Sequence, residues 1–132
     1  MRSFLNMQEQ SVLFFGSLWL YAVFVSAADA ADLGKAYLVL RALYPVIWMV
    51  FGGEKGMPEI GSMFTFPQYA INVYEVVAVV LKLGYGADLT EMFFGYKALG
   101  VFVFTVGFMT YAMGVIAFLE ENVFAGFFKA KK

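Results

Sequence analysis

The sequence predicts an all-α integral membrane four-helix bundle. Three observations predict it. Hydrophobic residues fill 62% of the 132 positions, mean hydropathy is +0.76, and only 14% of residues are charged, against roughly 25% in an average soluble domain. Four apolar stretches alternate with short connections rich in Gly, Pro and Asp. Finally, the run of short alternating segments that marks a transmembrane barrel is missing. Backbone groups in lipid must pair internally, which leaves helices as the economical solution.

The elements follow in order. Arg2, Asn6 and Glu9 are spaced i, i+4, i+7 and share one helix face. They run into an uncharged first span, about Ser11 to Ala28, with Trp19 and Tyr21 inside it. Asp29, Asp32 and Gly34 read as a polar turn. The second span, about Lys35 to Phe51, contains Arg41 and Pro45 and ends at Gly52, Gly53, Glu54 and Lys55. A Gly- and Pro-rich connection leads through Phe64-Thr65-Phe66-Pro67 to the third span, about Gln68 to Leu83, which carries Gln68, Asn72 and Glu75. A turn with Gly84, Gly86 and Asp88 precedes the last span, about Met92 to Leu119, with Lys97 near its start. These segments approach the roughly 17–25 residues that cross a bilayer, the second being marginal. The chain reads as a single domain, 1–132. Four spans put both termini on one side, with Arg2, Lys55, Lys129, Lys131 and Lys132; Lys35, Lys82 and Lys97 lie on the other. That imbalance points to termini on the cytosol-like side.

Composition excludes much chemistry. With no cysteine and no histidine there is no disulfide, no thiol nucleophile and no histidine base, and neither protein-ligated zinc nor haem is expected. A net charge of −1 without a basic run argues against nucleic acid as a partner. The polar stripe directly after Met1 does not read as a signal peptide.

Three polar constellations and one glycine strip remain. Arg2, Asn6 and Glu9 form the first. Arg41, Tyr44 and Trp48 form the second, with Tyr37 one turn earlier. Antiparallel packing of the first two helices brings these sets together, and an Arg fork suits a carboxylate-bearing ligand. The plainer reading is an ion pair from Glu9 to Arg2 or Arg41 that locks the helices. Gln68, Asn72 and Glu75 form the third set. They read as interhelical glue or, more sharply, as oxygen contacts for a pigment such as a chlorophyll magnesium. In the last span Gly95, Gly100, Gly107 and Gly114 leave a smooth strip, with Gly100, Gly107 and Gly114 in register, for close approach of another helix.

The segment Arg2-Ser3-Phe4-Leu5-Asn6-Met7-Gln8-Glu9-Gln10 resembles the Arg-x3-Asn-x2-Glu signature of the MAPEG family, small four-helix membrane proteins of eicosanoid and glutathione metabolism. The similarity continues through Phe14, Leu18 and Ala22. Leu33 to Tyr44 resembles that family's Gly-x2-Tyr…Arg-x2-Tyr helix, so the likeness covers roughly residues 2–56. It implies a homotrimer with glutathione between subunits, contacted by Arg2, Asn6, Glu9, Arg41 and Tyr44. The sequence also departs from the pattern. The helix that normally precedes the signature is absent, Gln10 and Trp48 stand where members often carry Tyr, and Lys55 is the nearest counterpart of the arginine associated with the thiolate.

These departures favour a catalytically reduced accessory subunit of a larger membrane complex, a photosynthetic or respiratory supercomplex being candidate hosts. The alternative is a glutathione-dependent transferase or isomerase acting on lipophilic electrophiles; a small transporter or channel ranks below both. Glutathione, bound lipid or pigment are the cofactors compatible with the sequence. Membrane lipids and other membrane subunits, or copies of itself, are the expected partners. The expected location is a thylakoid, mitochondrial or endoplasmic reticulum membrane.

Overall fold

Apolar periodicity and internal backbone pairing produce long helices here, as expected. The computed structural model describes residues 2–51 and 59–119, with the side chains of 2–9, 48, 51, 59–62 and 116 outside that description. The described residues form α1 (Arg2–Phe24), α2 (Ala27–Phe51), α3 (Glu59–Tyr85), a single turn α4 (Leu89–Met92) and α5 (Lys97–Leu119). No strand occurs among them. Among the described residues two helical segments are long and apolar enough to cross a membrane: Met63–Tyr85 within α3, and α5, with mean hydropathies of 1.3 and 2.0. In α1 the apolar run is shorter, Gln10–Phe24.

Several boundaries differ from the sequence expectation. Asp29, Asp32 and Gly34 lie inside α2, because the connection from α1 is only Val25 and Ser26. Ser26 starts the helix: its Oγ accepts from the Asp29 backbone N–H at 3.3 Å, and Asp29 sits in the first turn, where a negative charge complements the helix dipole. Gly34 is buried, and a Cβ there meets Leu18 side-chain atoms at 3.4–3.5 Å, so this glycine serves close α1–α2 packing instead of a turn. The third helix begins before Pro67 and runs through it. Proline removes a backbone donor, and beside it Gln68 Nε2 donates to the Phe64 carbonyl at 2.9 Å. The last helix starts at Lys97, not Met92. It is preceded by α4 and by a turn in which Phe94 (φ 56°) and Gly95 (φ 78°) are left-handed. Gly95 is therefore a turn residue and no part of the helical strip.

α3 is the central element. It packs against α1, α2 and α5, and α1 also packs on α2; α5 packs on α3 and α4 and reaches α2 through Lys97, which pairs with Asp29 and Asp32. The apolar core lies where α1, α2 and α3 meet, with Phe14, Tyr37, Ile71 and Tyr74 buried in it. The Phe14 and Tyr37 rings stack with centroids 3.8 Å apart and planes 7° from parallel. α5 joins through Gly100, where the chains approach so closely that a Cβ falls 2.5 Å from Tyr74 Cε2. Gly107 and Gly114 have nothing within 4 Å of that position.

Candidate functional site

Buried polar side chains form a column along the α1–α2–α3 contact. On α1, Gln10, Phe14, Ser17 and Tyr21 are the buried residues, an i, i+4, i+7, i+11 stripe that places them on one face. On α3, Gln68, Asn72 and Glu75 are buried in the same way. The two faces meet, and Arg41 enters from α2.

The upper part of the column centres on Arg41. Its Nη1 donates to Gln10 Oε1 at 2.7 Å and to Gln68 Oε1 at 3.2 Å. Gln10 Nε2 in turn donates to the Tyr69 hydroxyl at 2.5 Å. The guanidinium carbon lies 5.8 Å from the centre of the Tyr44 ring, within cation–π range. One cation thus ties three helices together through carboxamides. Among the described residues no carboxylate lies within ion-pair distance of Arg41.

Two turns along α3, about 10 Å by helical rise, Ser17 Oγ donates to Glu75 Oε2 at 2.5 Å. Glu75 is fully sealed from solvent and Asn72 nearly so. Further on, the Tyr74 and Thr90 hydroxyls pair at 3.0 Å.

The connections at that end are tied by ion pairs. Lys97 pairs with Asp29 and, at 3.5 Å, with Asp32. Lys82 pairs with Asp88 at 3.1 Å. Asp88 also caps α4 by accepting from the Thr90 backbone N–H at 2.9 Å. Burial alone opposes the Asp88 charge, but the hydrogen bond from Lys82, the Thr90 backbone donor and the lysine charge outweigh it and hold the carboxyl below its ordinary range.

The residues expected from the sequence divide into groups. Arg41 and Tyr44 do share the end of α2 that meets the start of α1, as antiparallel packing requires. Gln68 joins them, so the second and third constellations merge at this end. Arg2, Asn6 and Glu9 lie on α1 with side chains outside the described set, and Lys55 lies outside the described residues. Of the glycine strip, Gly100 meets α3 and α4-side atoms, while Gly107 and Gly114 face open space. Sequence reasoning missed Gln10 and Ser17 as partners. Their spacing with Phe14 and Tyr21 is the signal that marks them. Among the described residues no group of three acidic side chains is placed to hold a metal ion.

No protein-family model, no curated protein and no solved structure matches this chain.

Proposed function

We propose that the chain is a multi-pass membrane protein, a four-helix bundle of MAPEG type with reduced catalysis, that serves as a structural subunit of a larger membrane assembly. The observation that carries this reading is α5. Its mean hydropathy is 2.0, and among its described side chains and glycines Gly100 alone is buried within the chain. Open grooves flank it on both sides: about 600 Å³ toward α2, lined by Leu40, Ile71, Val101 and Phe102, and about 290 Å³ toward α1. A helix this apolar is at rest against lipid or another membrane chain. The hydrogen bonds of Arg41 to Gln10 and Gln68 support a structural role, because they commit the guanidinium to holding helices together.

Extraction in a mild detergent, followed by sizing and mass spectrometry of whatever co-purifies, tests the proposal. Several unrelated membrane subunits in one particle are expected. A particle made of this chain alone, or a chain found in the soluble fraction, overturns it.

One observation favours the glutathione-dependent enzyme as a second reading. Arg41 sits over the Tyr44 ring, and its described hydrogen-bond acceptors are neutral amide oxygens, so its charge suits an anionic ligand. Calorimetric titration with glutathione distinguishes the two: binding that Arg41→Met abolishes supports the enzyme, and no heat of binding supports the subunit.

A further inference from the structure

Two sealed oxygen atoms on α3 lack a hydrogen-bond partner, Oδ1 of Asn72 and Oε1 of Glu75. Asn72 is 5% exposed and Glu75 0%. Residues three apart on a helix are surface neighbours, with Cβ atoms about 5–6 Å apart. An amide carbonyl and an ionised carboxylate are both acceptors, so they cannot satisfy one another. A single hydrogen on the carboxyl satisfies both, because a protonated carboxyl donates through its O–H. The single Ser17 hydroxyl hydrogen has two acceptors in reach, the Phe14 carbonyl at 3.2 Å and Glu75 Oε2 at 2.5 Å, and the shorter contact assigns it to Oε2. That leaves Oε1 to carry the hydrogen.

The surroundings agree. From α1 the facing group is the Ser17 hydroxyl. α2 brings the buried phenol of Tyr37 and Arg41, whose guanidinium donates to Gln10 and Gln68. α5 supplies no facing charge: Lys97 is held by Asp29 and Asp32, and Tyr111 is exposed. Among the described residues no lysine or arginine lies within ion-pair distance of Glu75. A buried carboxyl without a cation neutralises sooner than it stays charged.

We propose that Glu75 is a proton-binding site inside the bundle, a neutral carboxylic acid whose Oε1–H is donated to Asn72 Oδ1 while Oε2 accepts from Ser17. The site adjoins an apolar opening, since Asn72 lines the groove between α1 and α5 together with Leu13, Val73, Val77 and Phe108. The inference stands apart from the membrane proposal, because protein atoms alone seal the carboxyl.

Infrared difference spectroscopy of the purified full chain at neutral pH tests it. Glu75→Gln retains both hydrogen bonds, its Nε2 replacing the O–H, and so serves as the folded reference. The wild-type minus E75Q spectrum is expected to show a carboxylic-acid carbonyl band. That band shifts in Asn72→Leu, which removes the acceptor, and in Ser17→Ala, which removes the donor to Oε2. Carboxylate bands in its place, as a bridging water between two acceptors requires, overturn the proposal; so does an acid band that neither variant moves.

Discussion

Ser17 donates a 2.5 Å hydrogen bond to Oε2 of Glu75 across the α1–α3 contact. Both residues are buried, and their union depends on helices far apart in the chain. Substituting Ser17 by Ala removes the donor and leaves a sealed acceptor. The expected cost is about 1–2 kcal/mol, read as a lowered unfolding midpoint in detergent. An unchanged midpoint shows that this bond does not hold α1 to α3.

Gly100 is the close-packing point of α5. A Cβ there lies 2.5 Å from Tyr74 and 2.9 Å from Phe93. Tyr74 is held at its hydroxyl by Thr90, so its ring cannot swing away freely. Gly100→Ala is therefore expected to destabilise by about 1–3 kcal/mol through overpacking. Gly107→Ala and Gly114→Ala meet nothing and gain helix propensity, so the isolated chain becomes no less stable. Thermal melts of the three variants check the contrast. Loss of co-purifying subunits in the Gly107 or Gly114 variant, with the melt unchanged, places a partner on that strip.

Arg41 holds two carboxamides through one nitrogen. Arg41→Met keeps an apolar stem of similar reach and removes the donors. Hydrogen bonds to a charged group are worth about 1.5–3 kcal/mol, and a loss of that size is expected in chemical denaturation. Adding Gln10→Leu to Arg41→Met is expected to cost less than the sum of the two single changes, because the amide left without its donor is then gone.

Asp88 sets an acid limit on the α3–α4 connection. Its carboxyl is held below the ordinary aspartate range when folded, so the folded state prefers the ionised form. The stabilisation is present above the unfolded value, about pH 3.9, and is lost as pH falls through the lower folded value. Asp88→Asn retains a good helix cap but loses the pairing with Lys82. The stability gap between wild type and D88N is expected to be constant near neutrality and to close in strong acid. A gap that widens in acid contradicts the assigned sign.

Much of the helical architecture was legible in the sequence because helical periodicity is a local property. Gln68, Asn72 and Glu75 could be assigned to one face from their spacing alone, and Gln68 and Glu75 each accept a hydrogen bond from another helix. Boundaries were less legible. Asp29 and Asp32 look like turn residues by composition, yet a serine cap and the helix dipole make them good first-turn residues of α2. Pro67 looks like a boundary, yet α3 continues through it, with a neighbouring glutamine side chain donating to its backbone. For Gln10 and Ser17 the missing information was not local at all.

The sequence by itself determined the helical class, the apolar character of α3 and α5, and the absence of cysteine and histidine chemistry, because each follows from composition or from spacing along a single segment. Only the tertiary structure decided that Arg41 meets Gln10 and Gln68, that Ser17 meets Glu75, and that Gly100 is packed while Gly107 and Gly114 stand open. Those outcomes depend on how each helix is rotated about its axis and how far it slides along its neighbour. Packing of the whole core sets these two quantities, and no single stretch of chain encodes them.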